Sequence, residues 1–159
     1  RGHQIVDTEN WSAAGEWTSD YEEDGRSGGN YHYTTALAAL NLGDIEKARK
    51  SLDQLMETPE SKERNIQMDQ IKSLLLLEEG NEQQGMELLQ QTAATESELP
   101  VDFGPPVIVK PSYELLGDIL MEKEYYERAE EAYRKQLERT PQRLRSLQGL
   151  EKAASLVEE

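Results

Sequence analysis

The feature that most narrows what this chain can become is a spacing between Tyr113 and Pro141. Tyr113, Leu116, Gly117 and Leu120 recur at intervals that put them on one helix, and Ala129, Tyr133 and Pro141 mark a second helix and its end. Large side chains at Tyr113, Leu116, Leu120, Tyr126 and Tyr133 form facing stripes. Gly117 and Ala129 are small where two helix backbones have to come close. The stretch reads as a helical hairpin, and every other segment falls into phase with it.

That spacing resembles the tetratricopeptide repeat, whose signature runs Trp-x2-Leu-Gly-x2-Tyr, then Ala-x3-Phe, then Pro. Here it reads Tyr113-x2-Leu116-Gly117-x2-Leu120, then Ala129-x3-Tyr133, then Pro141. Leu120 stands for the signature Tyr, and Glu124 occupies the inter-helix turn where Gly is common; the size pattern is unchanged. The resemblance implies an all-α, right-handed superhelix of antiparallel helix pairs, a TPR-like α-solenoid. It also implies a scaffold that binds protein or peptide and performs no catalysis.

Composition agrees with thin helical layers: of 159 residues 36% are hydrophobic and 31% charged. A formal charge of −15, from 32 acidic and 17 basic residues, sets the class of partner. It repels a phosphate backbone, and no Lys/Arg run compensates locally, so the expected partner is a protein or peptide, basic rather than acidic, and not nucleic acid. No apolar run reaches membrane-spanning length, so membrane insertion is not expected. The absence of Cys removes disulfides and thiolate metal sites and leaves the compartment open.

Taken in order, residues 1–30 read as a truncated repeat followed by an acidic, Gly-rich loop from Thr18 to Asn30. Ala14 and Ala48 lie one repeat period apart, which suggests a chain entered inside a repeat, the C-terminal part of a longer array of the irregular, bacterial kind. Residues 31–59 form the next repeat, with Gly43-Asp44 as its turn. Residues 61–95 form a weaker one, with Gly80-Asn81 as turn and Gly85 in the small-residue slot. Residues 96–109 are an insertion around Phe103, apolar and Pro-rich, expected to fold back over the array. Residues 110–141 carry the best match, and 142–159 a capping helix with Leu144, Leu147, Leu150, Ala154 and Val157 on its packed side.

Reactive groups are few. There are only two His, no Gly-rich phosphate loop and no nucleophile elbow, so no catalytic residue, cofactor or metal is assigned. His32, between Tyr31 and Tyr33, reads as a packing residue. Glu22, Glu23 and Asp24 lack the alternating spacing of a calcium loop. Glu114, Asp118 and Glu122, four residues apart, stack three carboxylates along one helix side. By the resemblance, first helices line the concave groove, so Tyr33, Leu37, Gln70, Leu74, Glu114, Asp118, Glu122 and Arg143 are the candidate partner-binding residues. Such a face suits a basic partner and not a carboxylate tail. The plainer alternative is an outward-facing stripe neutralised by Lys110, Lys123 or Arg143. A second functional alternative is an accessory domain of a larger enzyme or assembly.

Overall fold

The computed structural model describes residues 1–17, 25–100 and 106–158. Among them the chain is all-α: α1 (Gly2–Thr8), a single 3-10 turn (Trp11–Ala14), α2 (Gly25–Asn41), α3 (Ile45–Glu57), α4 (Lys62–Glu78), α5 (Glu82–Ser97), α6 (Ser112–Glu122), α7 (Tyr126–Arg139) and α8 (Leu144–Val157). The chain divides into two compact units, Arg1–Leu89 with Gly104–Val109, and Gln90–Phe103 with Lys110–Glu159.

One backbone device recurs throughout. After the first helix of each pair a residue adopts positive φ: Glu9 (53°), Gly43 (78°), Gly80 (81°) and Glu124 (62°). Each such residue donates its N–H three residues back, to Val6, Leu40, Leu77 and Met121. The next residue donates five back, to Ile5, Ala39, Leu76 and Leu120. This is the Schellman closure of a helix end, in which two otherwise orphaned carbonyls are satisfied. The four turns are 34, 37 and 44 residues apart. Ala14, Ala48, Gly85 and Ala129 each follow their turn residue by five positions, and all four are buried.

Local chemistry starts the helices. Asp44 caps α3 by accepting from the Lys47 N–H at 3.0 Å, and Ser61 caps α4 by accepting from the Arg64 N–H at 3.0 Å. In the first unit α2 packs on α3 and α4, burying Tyr33, Ala36, Leu37 and Leu40 on α2 and Ala48, Leu52 and Leu55 on α3. A side cluster forms where Trp17, Ala14, Ile5 and Ala38 meet, with the Trp17 and Tyr31 rings edge to face at 5.1 Å. In the second unit α6 packs on α7, and α8 on both.

Three expectations need correcting. Residues 25–30 are helical and not loop, since α2 begins at Gly25; residues 18–24, including Glu22, Glu23 and Asp24, lie outside the described residues. The truncated repeat expected within residues 1–30 has, after its turn, a single 3-10 turn, Trp11–Ala14, in place of a second α-helix over the described residues up to Trp17. The packed side of α8 is Ser146, Gly149 and Ala153; Leu144 is 64% exposed, Leu147 43% and Val157 37%. In the insertion, Ile108 and Val109 are buried, Val107 is exposed, and Phe103 is outside the described residues.

Candidate functional site

The carboxylates singled out on α6 are the centre of a charged cluster inside the second unit. Lys110, Glu114 and Asp118 lie four residues apart, so the helical repeat aligns them on one side of α6 and its approach. Glu114 is fully buried. Arg143, at the start of α8, grips it with two bonds, Nε to Oε2 at 2.6 Å and Nη2 to Oε1 at 2.8 Å. The Lys110 ammonium lies 3.0 Å from Oε1, and the Ser146 hydroxyl donates to Oε2 at 2.6 Å. Each carboxylate oxygen therefore has two donors. Asp118 accepts from Lys110 at 2.5 Å and from the Tyr133 hydroxyl at 2.6 Å.

Two acids and two bases leave the cluster formally neutral. Burial alone would raise the Glu114 carboxyl, but the Arg143 bonds, the Lys110 charge and Ser146 outweigh it and hold the group below the usual carboxylate range. Burial works against the Lys110 ammonium, yet Asp118 and Glu114 keep it raised. The Tyr133 phenol is pushed upward, first by burial and then by Asp118, and stays protonated as a donor. Glu96, at the end of α5, has the opposite balance. Its carboxylate accepts the Ser112 N–H at 2.8 Å and so caps α6 from a distance. Burial dominates there and raises it despite Ser112, Arg139 and Arg143.

Of the eight candidate residues, Tyr33, Leu37, Gln70, Leu74 and Glu114 are buried. Tyr33, Leu37, Gln70 and Leu74 are core residues of the first unit, while Glu114, Asp118 and Arg143 are brought together in the second. Asp118 keeps a side chain 33% exposed, Arg143 17%, and Glu122 is exposed. The alternative of an outward stripe divides: Glu114 is neutralised by Lys110 and Arg143 inside the protein, Asp118 is paired with Lys110 at its margin, and Glu122 is exposed. Tyr133, Ser146 and Glu96 were not legible as members. Their only sequence signals are the signature position of Tyr133 and two ordinary polar residues.

Elsewhere on the second unit a groove of about 280 Å³ has Leu116 and Leu120 on its floor and Tyr113, Arg128 and Lys135 on its walls. The Lys135 ammonium sits 5.6 Å from the Tyr113 ring centre. Among the described residues no group of His, Asp and Glu is arranged to hold a metal, and no helix is long and apolar enough to cross a membrane.

Residues 111–143 match the profile of the Tetratricopeptide repeat family. The match starts beside Lys110, ends on Arg143 and spans α6 and α7, so the charged cluster sits within and at the margins of one repeat. This is thus a protein containing a tetratricopeptide repeat, a class of helical hairpin that serves generally as a scaffold for protein–protein interaction. No curated protein and no solved structure matches the chain.

Proposed function

We propose that this protein is a non-catalytic scaffold that holds a basic protein or peptide segment against the α6 side of its α6–α7 repeat, with Asp118 and Glu122 as the acidic contacts. The supporting observation is the tetratricopeptide match over α6 and α7 together with the exposure of Glu122 and the partial exposure of Asp118 on the helix that such repeats turn toward ligands. The formal charge of −15 favours approach of a cationic partner and disfavours nucleic acid. Glu114 takes no direct part in this reading; it braces the helix that presents the other two.

The test is capture of basic partners from a lysate by the wild-type chain and by Glu122→Lys, identified by mass spectrometry. Loss of the same partners from the variant, with an unchanged melting temperature, is the expected result. Retention of every partner, or a captured set that is acidic, removes the α6 carboxylates from the binding face. Glu114→Lys is unsuitable, because it places a third cation in a buried cluster.

A further inference from the structure

We propose that the exposed side of α8 is a second docking surface, which takes an amphipathic helix with leucine-like residues along its centre and Lys or Arg along its edges. The inference rests on α8 alone and does not depend on the α6 carboxylates. α8 uses Ser146, Gly149 and Ala153 to pack inward. Leu147, Leu150, Ala154 and Val157 recur at intervals of three, four and three residues on another side, which is the a/d spacing by which one helix seats against another. Leu147 and Val157 are 43% and 37% exposed, and Leu144, beside the seam, 64%. Leu150 and Ala154, half-buried, lie between Leu147 and Val157 and join them into one apolar strip along the helix.

Charge decides between occupants. Glu151 and Glu158 are exposed and follow the seam residues Leu150 and Val157 directly, in the flanking position that sets partner choice. A second copy of the chain, paired antiparallel in the register that matches Leu147 with Val157 and Leu150 with Ala154, would bring the two Glu151 side chains close together on one flank of the pair. It would also join two chains of −15 each. A basic-edged helix meets neither obstacle and neutralises both glutamates. A four-residue seam is smaller than the roughly 1,200 Å² at which stable interfaces begin, so the complex is weak and reversible, with Kd on the order of micromolar to tens of micromolar.

The experiment uses two synthetic amphipathic peptides with leucine at a and d, one flanked by Lys and one by Glu. Each is titrated by fluorescence anisotropy against the full chain and against a Leu144→Ser/Leu147→Ser variant whose circular dichroism matches wild type. The Lys-flanked peptide should bind wild type at least about tenfold more tightly than it binds the variant, and about tenfold more tightly than the Glu-flanked peptide binds wild type. Equal binding to wild type and variant would show only a general attraction between a cation and an acidic chain, and overturns the proposal. So does equal binding of the two peptides, or none. Sedimentation that shows the chain pairing with itself through Leu144 and Leu147 overturns it in favour of a second copy.

Discussion

In the α2–α3 hairpin the facing surfaces are Tyr33, Ala36, Leu37 and Leu40 against Ala48, Leu52 and Leu55, and among the described residues of that unit no carboxylate, Lys or Arg is buried. In the α6–α8 group the same helix-turn-helix geometry encloses Lys110, Glu114, Asp118 and Arg143. The backbone turns are alike, with the same pair of hydrogen bonds at Gly43 and Glu124, so the difference lies in the side chains that join the helices. Apolar packing is forgiving of small displacements. A carboxylate with four donors is not, because removing any one leaves charge in a low-dielectric site. The second unit therefore specifies where α8 sits through buried charged bonds from Arg143 and Ser146, where the α2–α3 hairpin packs apolar faces and α4 is joined to it by the uncharged acceptors Asn30, Met56 and Thr58.

The sharpest way to break this contrast is Glu114→Ala, which leaves Arg143 half-buried without its acid and Lys110 with Asp118 alone. It should cost about 3–5 kcal/mol in urea unfolding, and adding Arg143→Met should restore part of the loss. A double replacement as unstable as the single one would show that packing, not charge pairing, holds α8. Next comes Gly149→Ala. A Cβ there would meet the Tyr133 ring, and at Gly117 the same ring lies 2.6 Å from the added atom. Overpacking of about 1–3 kcal/mol should exceed the gain of about 1 kcal/mol in helix propensity. A rise in melting temperature would mean that the ring can step aside and that Tyr133 does not lock the three helices.

Smaller effects separate the turns. Glu124 holds a left-handed conformation that glycine adopts without cost, so Glu124→Gly should stabilise by about 1 kcal/mol, and Gly80→Ala in the first unit should destabilise by a similar amount. Opposite signs in thermal melts support equivalence of the two turns; equal signs refute it. The smallest shift belongs to Glu96→Gln, expected within about 1 kcal/mol of wild type at pH 7 because an amide oxygen can still accept the Ser112 N–H. Its value is in the pH profile. The folded Glu96 carboxyl titrates above its unfolded range, so the folded state binds the extra proton, and wild-type stability falls, relative to Glu96→Gln, as pH rises through that window. Glu114 acts in the reverse sense. Its contribution is present above the unfolded carboxylate value of about 4.3 and is lost as pH falls through the depressed folded value.

Much of the fold was written in the spacing. Ala14, Ala48, Gly85 and Ala129 mark equivalent positions because helix contacts at close range need small side chains, and that need is visible without coordinates. The start of α2 was not visible. Gly28 and Gly29 read as breakers, yet a helix held by tertiary packing tolerates them, and a Cβ added at either would come within about 4 Å of Thr58 at the end of α3. The inward side of α8 was misread for a related reason. Its leucines are the strongest apolar signal, but the Tyr133 ring and the Glu114 carboxylate occupy the space beneath it, and only Gly149, Ala153 and Ser146 fit there. At the site, the alignment of Lys110, Glu114 and Asp118 was legible as a helical stripe. Its burial was not, because it depends on Arg143 and Ser146 arriving from 29 and 32 residues further along.

The reverse turn that closes each hairpin is made wholly of main-chain atoms and asks only that one residue tolerate positive φ. Such a joint is indifferent to the helices it connects, so hairpins from this chain should be exchangeable as cassettes when the splice is placed between turns. The longest interval, from Gly80 to Glu124, carries Glu96, Lys110 and Ser112, so a splice there has to leave those three residues in register with α6.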